Sequence, residues 1–274
     1  MEIKQKIVIS KDGTTIAYEQ SGFGSALIIV SAALADHSGT TKLANLLAEK
    51  FTVINYDRRG RGKSSDTKPY AVEYEVEDIA ALIEAVGGKA YLFGSSSGAA
   101  LALEAASKLG AKVKGLFMYE PPFIIDSSRP PMASDLITKI SQLVAAGKDN
   151  DAVKLFFIKG MGIPAFGVTM MRFLMPGWSK MAKIAHTIPY DLAILDGTQS
   201  GKPLPAKRWA TLTSPALVMV GSRSEAFFHS GAKALVELLP SVKYKSLEGG
   251  SHASVLMMPK LLAIAISTFF LNNK

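Results

Sequence analysis

Ser96 stands at the centre of Gly94-Ser95-Ser96-Ser97-Gly98, a G-x-S-x-G pattern. An apolar run, Ala90 to Phe93, precedes it, and helix formers from Ala99 to Ala106 follow. That order predicts a strand, a sharp turn and a helix, with the serine hydroxyl pushed out at the apex. Side chains two residues either side of the apex would crowd the turn, so glycine fits at both places. The helix then aims its free N-terminal N–H groups at the same spot, where a negative oxygen could be held. A serine hydroxyl is a poor nucleophile and needs a base. The chain has four histidines, His37, His186, His229 and His252. Only His252 sits in a glycine loop, Gly249-Gly250-Ser251-His252, straight after a final strand. There it reaches the carboxyl end of a sheet, where open α/β sheets bind ligands. His186 falls inside a predicted helix and reads as packing. His229 reads as a surface helix start. His37 follows the exit of the third strand and is placed to line the pocket.

The elements that must carry these groups follow from periodicity. Residues 3–10 and 14–20 alternate around Lys11-Asp12-Gly13 and predict an edge hairpin. Continuous apolar runs at 26–30, 51–56, 90–94, 113–119 and 216–220 predict strands buried on both faces. Residues 242–247 alternate, as an edge strand would. Helical spacing occupies 43–50, 76–86, the stretch from the elbow to 109, 233–239 and 260–271. Alternating strands and helices argue for a mostly parallel sheet with helices on both faces. Between Pro122 and Leu212 the alternation stops, and helical candidates at 136–146, 152–159, 168–174 and 180–188 carry many methionines and aromatics. This stretch reads as an inserted helical lid. Flexible apolar side chains there suit a pocket for varied apolar substrates.

Bulk properties narrow the classes. The chain has 274 residues, 48% hydrophobic and 20% charged, with no cysteine. Disulfides, thiolate metal sites and a cysteine nucleophile are excluded. No metal-ligand spacing and no dinucleotide or phosphate fingerprint is present, so no cofactor or metal is expected. The net charge is +8, spread along the chain, with one dense cluster at Arg58, Arg59, Arg61 and Lys63. No interleaved aromatics accompany it, so a solvated basic surface is expected rather than a nucleic-acid site. The N-terminus lacks a signal-peptide core. The apolar stretch 261–271 is too short to span a bilayer. A soluble cytoplasmic protein is expected, with a small-molecule substrate, no nucleic-acid or membrane partner, and a homodimer left open.

Four features together resemble the α/β-hydrolase fold with a helical cap. They are the elbow at Ser96, the turn Asp57-Arg58-Arg59-Gly60-Arg61-Gly62-Lys63-Ser64, the loop Gly249 to His252, and the order of elements over nearly the full length. The resemblance implies about eight mostly parallel strands, with residues 1–122 and 213–274 as core and 123–212 as cap. It implies a catalytic set of Ser96, His252 and an acid between them in sequence. Most family members keep that acid about three residues past a glycine after the next-to-last strand. Counted from Gly221, that position here is Ser224, with Glu225 adjacent. The alternative is Glu120, which ends the strand 113–119 and is pinned by Pro121. Haloalkane dehalogenases carry their acid at this strand end. Asp126, Asp191 and Asp196 are further carboxylates in the lid. Glu120 is favoured, with Glu225 left open.

The resemblance also implies an oxyanion hole from the backbone N–H groups of Ser97 and Ala33. Relatives often have His-Gly before that second donor, where this chain has Ser31-Ala32. Asp57 to Ser64 reads as scaffold, with Asp57 and Arg59 tying the turn. The implied activity is hydrolysis of a small ester or related carbonyl compound through an acyl-enzyme. A cofactor-free perhydrolase or haloperoxidase-like activity uses the same groups. A non-hydrolytic small-molecule receptor with a degenerate triad is the reading that Ser224 favours. Dehalogenation is disfavoured, because those relatives place an aspartate where this chain has Ser96.

Overall fold

The computed structural model describes residues 2–175 and 177–272. The chain opens with a hairpin, β1 (Lys4–Ile9) and β2 (Thr15–Ser21). Its turn uses Gly13 at a φ of +84° and Asp12, whose Oδ1 accepts the Thr14 N–H at 3.0 Å. Strands and helices then alternate: β3 (Ala26–Val30), α1 (Thr41–Leu47), β4 (Thr52–Tyr56), α2 (Val72–Ala85), β5 (Ala90–Ser95), α3 (Ser97–Leu109) and β6 (Val113–Tyr119). Five helices intervene, α4 (Leu136–Ala145), α5 (Asp149–Leu155), α6 (Ala165–Leu174), α7 (Trp178–Lys183) and α8 (Ile188–Ile194). The alternation returns with β7 (Ala216–Gly221), α9 (Ala226–Leu238), β8 (Val242–Leu247), α10 (Ser254–Met257) and α11 (Pro259–Asn272).

The eight strands form one sheet in the order β1-β2-β4-β3-β5-β6-β7-β8. Pairing is antiparallel at β1–β2 and β2–β4 and parallel in every other pair. The parallel strands are apolar throughout because both faces are covered. Ile28, Leu92, Met118 and Val218 pack with α2, α3 and α9. Their chain neighbours Leu27, Phe93, Phe117 and Leu217 point the other way, against α1 and α11. The strand period of two thus feeds two cores from one sheet. The helices between β6 and β7 share a third core with Leu34 of the loop after β3, including Ile140, Val153, Phe157 and Trp178. Among the described residues, no helix is long and apolar enough to cross a membrane.

Local departures from the sequence expectation have physical causes. The helix expected at 180–188 ends at Lys183. A single 3₁₀ turn (Ala185–Thr187) follows, and α8 then starts with Pro189 in its first turn. Proline is tolerated there because that N–H has no intrahelical acceptor. His186 is therefore in a turn rather than a helix interior. Helix α9 begins seven residues earlier than the periodicity suggests, at Ala226 rather than Lys233. Gly231 masks that helix in the sequence, and close packing requires it: an added Cβ would meet the Phe123 carbonyl oxygen at 2.8 Å.

The dense basic cluster is the largest correction. Arg58, Arg59 and Arg61 are not a solvated surface. Their exposures are 0%, 0% and 1%, and only Lys63 of the four is exposed. Arg58 makes a two-pronged pair with Glu75, with both bonds at 2.7 Å, and a third bond to Asp191 at 2.7 Å. Arg59 holds Asp78 in the same forked way, at 2.8 and 2.7 Å, and Asp12 at 2.8 Å. Arg61 binds the other oxygen of Asp191 at 2.6 Å. The partners lie far off in sequence, on α2, on the hairpin turn and on α8, so the run of like charges looked solvated when read alone. Asp57 carries out its expected scaffold role. Its carboxylate accepts the N–H groups of His37 and Lys63, each at 2.9 Å. Gly62, at a φ of +54°, lies so close that a Cβ would sit 2.2 Å from that carboxylate.

Burial pushes the Asp191 carboxyl pKa up, but the charges of Arg61 and Arg58 and the Ser97 hydroxyl outweigh that and hold it below its ordinary 3.8. A depressed native pKa contributes stability above the unfolded value and loses it as pH falls through the native one. The Asp191 contribution is therefore intact at neutral pH and is lost below about pH 4. Asp191→Ala leaves two buried guanidinium groups short of a partner and is expected to cost about 3–5 kcal/mol in urea unfolding at pH 7. The gap between wild type and variant should narrow towards pH 3. A pH-independent cost under about 1 kcal/mol would contradict the pairing.

Candidate active site

Ser96 adopts φ 54° and ψ −127°, between the end of β5 and the first turn of α3. A non-glycine residue there is strained, and such strain gathers at functional sites. The neighbours explain the turn. A Cβ on Gly94 would lie 2.2 Å from the Gly98 carbonyl oxygen, and one on Gly98 would lie 2.4 Å from the Val30 carbonyl oxygen. The Ser96 N–H donates to the Tyr119 carbonyl at 2.9 Å, tying the elbow to the end of β6. Among the described residues only Leu34, Ser96 and Glu120 have positive φ without being glycine. Leu34 and Ser96 line one cavity, and Glu120 lies one hydrogen bond behind it, through His252. Local strain and the cavity therefore coincide.

That cavity has a volume of roughly 570 Å³. Ala33, Ser96, Ser97 and His252 all line it, together with Phe156, Phe157 and five methionines, Met132, Met161, Met171, Met175 and Met181, supplied by the stretch between β6 and β7. Of the two acids that the sequence leaves open, Glu120 meets the imidazole: its Oε2 lies 2.8 Å from His252 Nδ1. Glu120 is fully buried. Its other oxygen, Oε1, accepts the Gly221 N–H at 2.7 Å and the Ser224 hydroxyl. Ser224 thus supports the Glu120 carboxylate from beyond the neighbouring strand. Glu225 points elsewhere. Its side chain is 68% exposed and lies 3.7 Å from Arg129.

The histidine loop is held from several sides. The Tyr119 hydroxyl donates to the Ser251 carbonyl at 2.8 Å, and burial pushes that phenol's pKa up, keeping it protonated. His252 stacks on Phe228, with ring centres 4.8 Å apart. Gly221 lets the end of β7 pass the loop, since a Cβ would lie 2.3 Å from the Gly250 backbone.

The amides of Ala33 and Ser97 have no hydrogen-bond partner among the described residues. Ser97 opens α3, so its N–H lacks an intrahelical acceptor. The loop carrying Ala33 is gripped by arginines. Arg61 donates to the Ala32 carbonyl at 2.7 Å, and Arg58 donates to the Ser31 carbonyl at 3.2 Å. The Ser97 hydroxyl donates to Asp191 at 2.8 Å. Sequence reasoning named Asp191 only as a spare carboxylate. It missed the link to Arg58, because no short-range signal joins positions 133 residues apart.

The other expectations sort as follows. His37 does not line this cavity. Its Nδ1 lies 2.7 Å from Asp57, in a separate cleft beside β2. His229, in α9, bonds the Tyr244 hydroxyl at 2.8 Å. Among the described residues one group of side chains has metal-ligand spacing, Asp36, His37 and Asp57, with ligand atoms within 4.8 Å of one another. The Asp57 carboxylate there is already engaged by His37 and Lys63.

Comparison with known proteins agrees with this fold. The model of the alpha/beta hydrolase family matches residues 22–265. This chain belongs to the alpha/beta hydrolase family. A crystal structure of an alpha/beta hydrolase from Sphaerobacter thermophilus DSM 20745 is 43% identical, with a TM-score of 0.89, over 97% of this chain and 100% of that one. An N-formylmaleamic acid deformylase structure from Pseudomonas putida S16 shares the fold, with a TM-score of 0.67 at 19% identity over 97% of this chain and 100% of that one. An uncharacterized hydrolase of Bacillus subtilis (strain 168), YraK, is 34% identical over 113 residues, 40% of this chain and 42% of its own. A proline iminopeptidase of Thermoplasma volcanium is 36% identical over 86 residues, 30% and 29% of the two chains. The chain thus spans less than half the length of these curated relatives.

The elbow glycines offer a sharp test of this local geometry. In open space a glycine replaced by alanine usually stabilises, by about 0.4–1 kcal/mol. Gly98→Ala is expected to do the opposite, because the added carbon meets backbone oxygens of β3. Thermal unfolding should show a lower midpoint than wild type, and a raised one would contradict the close approach.

Proposed function

We propose that this alpha/beta hydrolase cleaves a small ester or related carbonyl compound, with Ser96 as nucleophile. The observation that carries this is the bond from buried Glu120 to His252 Nδ1. It commits Nδ1 as donor and leaves Nε2 to take the Ser96 proton, and an imidazolium formed there gains a facing carboxylate. Ser96 Oγ attacks the carbonyl carbon as His252 removes its proton. The backbone N–H groups of Ala33 and Ser97 hold the oxygen that becomes negative. His252 then protonates the departing alcohol, leaving an acyl-serine. Water, deprotonated by His252, releases the acid and restores Ser96. The inserted segment, 123–212, serves as a cap over a core of 1–122 and 213–274, and its methionines shape the acyl pocket.

A non-hydrolytic receptor was favoured by the serine at 224. That argument weakens when Glu120 supplies the carboxylate and Ser224 merely supports it. Perhydrolysis differs only in the acceptor of the acyl group and needs no further residue.

Glu120→Gln keeps the shape and removes the charge. In a protease of the same logic the equivalent change cost about 10⁴ in turnover. Turnover of p-nitrophenyl acetate should fall about 10³–10⁴-fold in Glu120→Gln and less than about threefold in Glu225→Gln. The reverse ranking would assign the acid to Glu225. A wild type that releases one equivalent of nitrophenol and stops would support the receptor.

A further inference from the structure

Among the described residues, the cavity wall holds one cation that the proposed chemistry does not use. Arg129 lies in the segment after β6, and its side chain is 13% exposed. It lines the same cavity as Ser96 and His252. Among the described residues its guanidinium donates one hydrogen bond, from Nη2 to the Gly160 carbonyl at 3.2 Å. A guanidinium has five N–H donors in a planar fork, so among the described residues most of them are not engaged by the protein. Two contacts fix its plane. The Phe227 ring lies 4.5 Å beneath it. On another side Gly162 is so near that a Cβ would fall 2.7 Å from Nη2.

The anions nearby do not cancel this charge. Glu225 is 3.7 Å away, too long for a hydrogen bond, and 68% exposed, so water screens it. Asp191, the other aspartate or glutamate lining the cavity, is already shared by Arg58 and Arg61. Burial pushes the Arg129 pKa down, and the Glu225 charge raises it without cancelling that. Two other buried guanidiniums, Arg58 and Arg59, are each gripped by a forked carboxylate, from Glu75 and Asp78. Among the described residues no carboxylate grips Arg129 in that way.

We infer that Arg129 receives a carboxylate of the substrate, so that the preferred ester is a half-ester: a short apolar chain bearing a free carboxylate besides the ester group. This deepens the proposed function and rests on it. A forked guanidinium–carboxylate pair is strong and directional where water is scarce. The apolar walls exclude water, and the carboxylate fixes which carbonyl is presented to Ser96.

The test compares monomethyl glutarate with dimethyl glutarate, two esters of one acid differing by a charge. Methanol release by wild type should favour the half-ester in kcat/KM by about 10–100-fold, the range of a charge-assisted bond. In Arg129→Met that ratio should fall towards one, and Arg129→Lys should keep part of it. Calorimetry on Ser96→Ala, with and without Arg129→Met, reads binding of monomethyl glutarate apart from chemistry. A wild-type ratio near one, or a preference that survives Arg129→Met, overturns the inference. A preference that vanishes in high salt yet ignores Arg129→Met belongs to the net positive charge and overturns it as well. Turnover of both esters without discrimination leaves the hydrolase reading standing and removes this one. No turnover, with binding that depends on Arg129, removes the hydrolase reading and keeps the anion site. Neither turnover nor binding rejects the carboxylate site.

Discussion

The bond between Glu120 and His252 joins two strand ends that are 132 residues apart in the chain. An imidazole in a surface loop can turn freely, and a free imidazole is a weak base in no particular direction. Glu120 removes that freedom. It sits at a positive φ of 51° at the end of β6, fully buried, and its second oxygen is held by Gly221 and Ser224 from β7 and the turn after it. Three donors on one carboxylate leave it one orientation. The elbow is tied to the same strand end, since the Ser96 N–H donates to Tyr119, and the Tyr119 hydroxyl reaches the histidine loop. The end of β6 thus anchors Glu120, the loop of His252 and the turn of Ser96.

A second arrangement governs the opposite side of the cavity. Arg58 and Arg61 cross from the turn after β4 to Asp191 on α8, and they grip the carbonyls of the loop that carries Ala33. Asp191 in turn accepts the Ser97 hydroxyl. The two amides proposed to hold the oxyanion are therefore framed by one buried ionic cluster. Buried ion pairs are weak evidence for stability, because desolvation offsets much of their attraction. Here they do something an apolar replacement would not: through directional bonds they hold the Ser31 and Ala32 carbonyls, and with them the Ala33 amide, and the Ser97 hydroxyl. At the proposed oxyanion site an aspartate standing alone would repel the negative charge, and the two guanidiniums remove that penalty.

Much of this was legible in the sequence because it depends on local pattern. Continuous apolar runs marked the parallel strands, and β6 was bounded to the residue, since its ends are set by burial on both faces. The elbow was legible because two glycines are forced by backbone oxygens within 2.5 Å. The basic run was misread for the converse reason. Its carboxylate partners sit 17 to 133 positions away, and charge read along the chain carries no information about them. The acid stayed open between Glu120 and Glu225 for the same cause. Both were near a strand end, and only the closure of the sheet brings one of them to the imidazole. Helix α8 was hidden by a proline that fits only in a first turn.

The account stands on Ser96 being activated by His252. A fluorophosphonate reacts with a serine in proportion to its activation, so the direct measurement is labelling followed by mass spectrometry of the digested protein. The account predicts one stoichiometric adduct, on the peptide carrying Ser96. It predicts that labelling slows at least a hundredfold in His252→Ala, by analogy with the contribution of a general base. An adduct elsewhere, or a Ser96 that labels at the same rate without His252, would contradict it.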